Sequence, residues 1–312
     1  MPNPVPPFSQ AAGATTAVVI HYGDPRLTQQ AVLSLIQLDA SLGSVIVVDN
    51  GPGHEPVRPL TTLDERVHVF TPDRNLGFAG GVELARAALP PGTRYVWLFN
   101  NDAQAEPAAL SELLRAVAHH GERCVVSSRI LDADTGKVWF ERARFLPWRL
   151  EAQHVARRGP SPGGDVVFSG IPTWRSFPYL SGCSLLIPRQ LFDELDGLDT
   201  SFFLYGEDVD LSARALWAGA WLVVARRSLV HHTASSGTRP ARRERLMAAA
   251  ALRIAGRYFP WVVVPAIPGA LLTGLKRALQ RGEPWLFTSR VTGYFDAIWP
   301  GRSSPAPDEE SG

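Results

Sequence analysis

Three carboxylates open a helix in the stretch Phe202-Phe203-Leu204-Tyr205-Gly206-Glu207-Asp208-Val209-Asp210-Leu211-Ser212-Ala213-Arg214. An acid near a helix N-terminus is favoured by the exposed N–H groups and the dipole. Capping asks for one carboxylate, and Glu207, Asp208 and Asp210 exceed it. Behind an aromatic turn, Glu207 and Asp208 suit a general base facing a polyol. Four other places carry ligand-type side chains. Asp49-Asn50 ends an apolar run, and reads as an Asx turn or as a carboxylate for a nucleotide base or ribose. Asn75-Leu76-Gly77-Phe78-Ala79-Gly80-Gly81 precedes a helix; its glycines form a turn or bring free N–H groups to a phosphate. The segment is neither a G-x-G-x-x-G fingerprint nor a P-loop, which argues against dinucleotide and P-loop binding. Asn100-Asn101-Asp102 exceeds the needs of an N-cap and suits a hard divalent cation that keeps waters and binds phosphate oxygens. Of the adjacent His231 and His232, one is available as a ligand.

These groups need a scaffold, and the first half of the chain supplies alternating elements. Ala17 to Tyr22 reads as a buried strand. Asp24-Pro25 then gives an N-cap and a first-turn proline, and apolar residues recur at Val32, Leu35, Ile36 and Leu38. Val45–Val48, Val67–Phe70 and Tyr95–Phe99 are further apolar strands, with helices near Gly81–Leu89 and Pro107–His119. Continuous apolar strands alternating with amphipathic helices predict a mostly parallel sheet covered on both faces. Ligands of such sheets sit beyond the carboxyl ends of the strands, where Asp49, Asn100 and Asp102 fall. Between about residues 137 and 178 no period holds; Trp and Arg mix with Pro and Gly as in a long loop or insertion. Tyr179–Ile187 is again strand-like. A short helix reaches Leu195, the Asp208 helix ends near Gly219, and Trp221–Val224 is a last strand. A helical, Arg-rich region starts near Ala241. The domain limits that follow are a disordered tail over 1–14, one α/β domain over 15–240, a helical appendage over 241–300 and a disordered tail over 301–312.

A chain of 312 residues with 45% hydrophobic content can bury one large core, and a net charge of +1 excludes a strongly basic nucleic-acid binder. Cys124 and Cys183 lack metal or redox spacing and read as buried thiols of a reducing cytoplasm. Residues 2–10 are Pro-rich rather than a signal peptide. Phe259–Leu275 is apolar but short of the ~20 residues of a membrane span, and Pro265 and Pro268 interrupt it. Arg253, Arg257, Lys276, Arg277 and Arg281 flank it, which suits packing on the domain or a place at the headgroup interface of a membrane.

The order of these motifs, strand–Asp, Asn-Leu-Gly-x-Ala-Gly-Gly, strand–Asn-Asn-Asp, Gly-Glu-Asp-Val-Asp-Leu-Ser-x-Arg and then His, resembles the family-2 glycosyltransferases of GT-A fold, in the rhamnosyltransferase-like branch, over roughly residues 17–281. The resemblance implies a Rossmann-like GT-A sandwich and an inverting, metal-dependent transfer of a sugar from a nucleoside-diphosphate donor to an acceptor hydroxyl. By it, Asp49 holds the donor base, and Asn100 and Asp102 are the outer positions of an Asp-x-Asp motif. Asp102 and His231 are then ligands of Mg²⁺ or Mn²⁺, with His232 the alternative and Ser236 downstream. Asp208 is the base and Glu207 its acidic neighbour. Asn75, Gly77 and Gly80 line the donor site with Asn50 and Asn101, and His21-Tyr22 suits stacking on a nucleotide base. The acceptor is a glycan, a lipid-linked glycan or a small molecule, and the cell compartment the cytoplasm or the inner face of its membrane. Pro52 and His54 depart from the family's first motif, Asn100 from its usual aspartate, and no Arg-Asn pair follows the histidines. Other readings are a silent nucleotide-sugar binder and a sugar-1-phosphate nucleotidyltransferase, though the latter's Gly-rich loop after the first strand is missing.

Overall fold

The structure, a computed structural model, describes residues 13–40, 42–51, 57–155, 164–233 and 238–299. Ser236, Pro52, His54 and the two terminal tails therefore lie outside the described residues. The chain begins as the alternation dictates. Strand β1 (Thr15–His21), helix α1 (Pro25–Ile36), β2 (Ser44–Asp49) and β3 (Val67–Phe70) lead to α2 (Gly77–Ala87) and β4 (Tyr95–Asn100). Asp24 caps α1 by accepting the Arg26 N–H, with Pro25 in the first turn. After β5 (Ala103–Ala105) come α3 (Ala109–His120) and β6 (Cys124–Asp132). Then follow β12 (Ser184–Pro188), α4 (Arg189–Glu194), α5 (Glu207–Trp217) and β13 (Trp221–His232).

The stretch without period is not irregular in space. It holds β7 (Val138–Phe140), β8 (Ala143–Leu146), β9 (Glu151–His154), β10 (Val166–Phe168) and β11 (Phe177–Tyr179). Strands of three or four residues are too short to print an alternation, which is why the sequence reads as a loop. β11, β8 and β9 form a separate antiparallel sheet, while β7 and β10 join the main one. The main sheet runs β10-β13-β6-β12-β4-β1-β2-β3. β12 and β10 oppose the direction of the other six, so the sheet is mostly parallel. β1 is flanked by β2 and β4, so the chain departs from it to both sides, and the crevice beyond its carboxyl end is where such sheets bind ligands. Both cysteines are buried free thiols; burial pushes the Cys124 thiol up to about 12.

Two strands differ from expectation, and both differences build the crevice. Residues 177–188 form two strands rather than one, because Leu180–Cys183 turns aside to bond with α5 and β4: Gly182 N–H donates to Asp208 and the Cys183 carbonyl accepts from Asn100 N–H. β13 runs on to His232, with a register shift between Ala225 and Leu229.

The C-terminal region is three helices, α6 (Pro240–Tyr258), α7 (Pro260–Arg281) and α8 (Trp285–Ile298). Here the expectation of a short, proline-broken segment is corrected. α7 is continuous over 22 residues with Pro265 and Pro268 inside it, and by length and composition it could cross a membrane. Proline's fixed φ is helical; each one removes an intrahelical bond, and both lie on the exposed side of a helix that continues through them. α6 packs on α5 closely enough that a side chain at Gly206 (φ +94°) would strike Ala250. The helices are therefore a wall of the catalytic crevice as well as an appendage to the sheet.

Candidate active site

α5 starts where the aromatic turn ends. Tyr205 (φ +69°) and Gly206 adopt left-handed backbone, which turns the chain sharply and aims the first side chains of α5 inward. Asp208 Oδ2 accepts the Gly182 N–H at 3.0 Å and Oδ1 accepts its own helix's Val209 N–H at 2.8 Å. Burial raises its pKa, and those N–H groups oppose the rise. Glu207 is 7% exposed with Oε2 buried and unbonded among the described residues; burial first, and the Asp208 charge second, push its pKa well above the carboxylate range. Burial thus raises both adjacent carboxyls; the two N–H groups on Asp208 favour its anion, and Glu207 has no such bond on Oε2 among the described residues. Asp210, three residues on, serves neither purpose. Fully buried, it binds Arg214 (2.7 Å), Arg257 (2.9 Å) and Tyr258 Oη (2.6 Å), tying α5 to α6 rather than merely supporting the helix dipole.

The end of β4 faces this helix across Ser181-Gly182-Cys183. Asn101 Nδ2 donates to the Tyr22 carbonyl (3.1 Å) and Thr28 Oγ1 (3.2 Å), fixing the strand end to α1. Asp102 Oδ1 lies 3.1 Å from His232 Nε2, yet that oxygen is buried and has no hydrogen-bond donor among the described residues. A buried carboxylate oxygen and an imidazole, close together and without a donor between them, match two ligands of a divalent cation whose remaining positions belong to water and phosphate. The sequence favours His231 with His232 as the alternative, and the structure brings His232, not His231, to Asp102. His231 Nε2 pairs with Glu106 Oε1 at 3.0 Å on the other face of β13, because successive strand residues point to opposite sides. His232 is the residue that meets Asp102, and Trp139 packs on its ring at 4.8 Å.

A cavity of about 660 Å³ joins these groups. Of the expected donor residues, Tyr22, Asn50, Asn75, Gly77, Asn100 and Asn101 line it, as do Asp102, His232, Glu207 and Asp208. His21, Asp49 and Gly80 do not line it. His21 is buried and bonded to Thr28 Oγ1 at 2.7 Å, with its pKa lowered by burial against the pull of Asp49 and Asp24. Asp49 accepts the Gly51 N–H at 3.0 Å, closing the Asx turn, so in this geometry it shapes the rim rather than forming it. Gly80 sits in α2, where its missing side chain leaves room for Leu76. The helix start also offers no phosphate cradle. Leu76 N–H donates to Asn50 Oδ1, Gly77 N–H to Asn75 Oδ1 and Phe78 N–H to the Phe203 carbonyl. Gly77 (φ +72°) is needed because a side chain there would collide with the Phe203 backbone, which anchors the loop leading into α5.

Sequence reasoning missed the far half of the cavity, since short strands and a helix face carry no motif. Phe145, Leu150, Tyr179, Met247 and Ile254 make it apolar, and Arg242 and Arg243 stand at its edge over the rings of Phe203 and Tyr205. The Arg-rich start of the C-terminal helices was the only signal available.

Residues 16–180 match the family model described as Glycosyl transferase family 2. The chain belongs to this family. The transferase is 30% identical over 216 residues to N-acetylglucosaminyl-diphospho-decaprenol L-rhamnosyltransferase of Mycobacterium tuberculosis, covering 64% of this chain and 69% of the relative. It is 26% identical to galactofuranosyltransferase GlfT1 of Mycolicibacterium smegmatis, covering 65% of each. These similarities place the transferase in the rhamnosyltransferase-like branch. In fold it is similar to the mannosyltransferase PcManGT from Pyrobaculum calidifontis, solved with GDP-Man and Mn²⁺ (TM-score 0.59, 14% identity, 92% of this chain and 88% of that one). GalNAc-T7, solved with UDP, GalNAc and Mn²⁺, gives a TM-score of 0.58 at 13% identity, with 76% of this chain and 47% of that one covered. The likeness to both shows the GT-A fold. Family membership also sets aside the nucleotidyltransferase alternative.

Proposed function

We infer that the transferase moves a hexose or deoxyhexose, rhamnose foremost, from a nucleoside-diphosphate donor to an acceptor hydroxyl with inversion, using Asp208 as the base. The observation that carries this is Asp208 itself: a single carboxylate held by two backbone N–H groups, facing the same cavity as Asp102 and His232. The acceptor hydroxyl gives its proton to Asp208 while its oxygen attacks the anomeric carbon. The bond from that carbon to the diphosphate oxygen breaks on the opposite face, which inverts the centre. One carboxylate suffices for this displacement. Glu207, protonated beside Asp208, supplies a neutral hydrogen-bond donor and adds no second charge.

The nucleotide runs along Tyr22, Asn50, Asn75 and Gly77, with Tyr22 against the base. Asp102 and His232 would hold Mg²⁺ or Mn²⁺, and the ion when bound neutralises charge developing on the diphosphate leaving group. Arg242 and Arg243 face the same charge from α6. The relative's name gives an acceptor in which a sugar is joined through diphosphate to a polyprenol, and the apolar, arginine-edged half of the cavity suits that chemistry. This supports a lipid-linked acceptor over a free glycan or small molecule, and a cytoplasmic protein in peripheral contact with membrane.

The test is Asp208→Asn. Transfer should fall by about 10²-fold or more, the usual worth of a positioned base, while calorimetric donor affinity stays within a few fold. Transfer at the wild-type rate would remove Asp208 from the role, and transfer by neither protein would favour a silent donor-binding protein. NMR of the product from wild type should show the anomeric configuration opposite to the donor's.

A further inference from the structure

The outward face of α7 is apolar from Trp261 to Leu275, with Leu279 beyond Lys276. Val264 is 77% exposed, Leu272 67%, Leu279 74% and Trp261 66%, and Phe295 and Trp299 of α8 stand exposed beyond them, stacked on one another at 6.3 Å. The patch continues inward through rings, since Trp261 touches Phe259 (5.9 Å) and Phe259 touches Trp217 (6.0 Å). Exposed apolar side chains gathered on one face in this way mark an interaction site.

Charge says what covers it. From Phe259 to Gly282 there is no Asp or Glu, while Lys276 and Arg281 are exposed and unpaired with a carboxylate among the described residues. Trp148, exposed and next to Arg149, lies on the turn that packs against α7. Tryptophans around an aliphatic stripe edged by cations are the composition of a helix lying in a headgroup layer. The two prolines decide between lying and crossing. Pro265 and Pro268 have no N–H for the carbonyls of Trp261 and Val264, and both rings are on the exposed side. Water at an interface satisfies those carbonyls, whereas hydrocarbon leaves them unbonded. Residues 300–312 carry no large apolar side chain that could cover the patch instead.

We propose that the exposed face of α7, with the exposed end of α8, docks on an anionic lipid bilayer, lying in its headgroup layer without crossing it. The surface adjoins the acceptor half of the cavity: Arg277 of α7 and Arg290 of α8 line the cavity, and Arg277 is paired there with Glu151 of β9. Docking would therefore bring that half to the membrane, which rests on the lipid-linked acceptor reading above.

The experiment is co-sedimentation of the full chain with vesicles of phosphatidylcholine alone or mixed with phosphatidylglycerol. Wild type should sediment with the mixed vesicles and be released by high salt and by carbonate. Leu272→Glu/Leu279→Glu should stay in the supernatant while keeping its circular dichroism and its transfer to a lipid-free acceptor analogue. Lys276→Gln/Arg281→Gln should weaken partition to mixed vesicles by about fivefold for each cation removed. Wild type left in the supernatant with both vesicles, or the Leu272→Glu/Leu279→Glu protein sedimenting like wild type, overturns the proposal. So does resistance to carbonate, which means a span, or a wild-type dimer in ultracentrifugation that this variant abolishes, which means a second copy on the patch. Vesicle binding and lipid-free transfer are separate readouts, so failure of docking leaves the catalytic reading standing and failure of transfer leaves docking standing.

Discussion

Asp208 and Glu207 are neighbours in different surroundings, and the difference lies in what each oxygen touches. Asp208 is bonded by two N–H groups, which favours its anion; Glu207 keeps a buried oxygen without a donor, which favours its proton. This has a consequence for stability. The unfolded Glu207 ionises near 4.5, but in the folded protein its pKa is raised to about 8. Between those values the folded chain holds a proton the unfolded chain has released, so the contribution is full below 4.5 and lost as pH rises towards 8. Glu207→Gln should flatten that decline, making the variant relatively more stable at pH 8 than at pH 5, as read by urea unfolding at both. A wild-type stability that rises over the same window would contradict the assignment.

At the scale of elements, three connections hold the crevice together: Gly77 against the Phe203 backbone, Gly182–Cys183 between β4 and α5, and Asp210 between α5 and α6. The last carries the most charge. Asp210 is fully buried, and Arg257, which it binds, also reaches Asp199 at 2.5 Å. Removing one partner of a buried pair costs about 3–5 kcal/mol, less here because Arg214 and Arg257 keep some contact with water. Asp210→Ala should therefore lose about 2–3 kcal/mol in urea unfolding and loosen α6 from α5. A loss under about 0.5 kcal/mol would mean that Asp210 supports only its own helix.

At the scale of the whole molecule, the proposed donor and metal sites lie where the sheet's switch point, β13 and the C-terminal helices converge. Ligand that binds only the folded state stabilises it by about 2.7 kcal/mol at a hundred times Kd. In a thermal-shift panel of nucleotide sugars, the true donor should raise Tm more with Mn²⁺ than without it. That Mn²⁺ increment should vanish in His232→Ala and persist in His231→Ala. Loss of the increment in His231→Ala alone would restore the sequence-based choice of ligand.

What the sequence determines by itself is whatever local periodicity and composition encode. The apolar runs at 17–22, 45–48, 67–70 and 95–99 could only be buried strands, and the polar residues ending them could only gather at one edge of a parallel sheet. The place of Asn100 and Asp102 at a strand end was legible for that reason, that of Asp208 at a helix start from the three acids there, and the family from the resemblance in motif order. The tertiary structure alone decided the rest. Which histidine meets Asp102 depends on the register of β13 after its irregularity at Ala225–Leu229, a shift that no spacing reveals. The apolar part of the cavity comes from strands of three and four residues and from α6, elements too short or too distant to leave a period in the chain. Whether α7 is broken or continuous, and which of its faces is bare, was decided only in three dimensions, where one helix runs through two outward prolines at the loss of two intrahelical bonds.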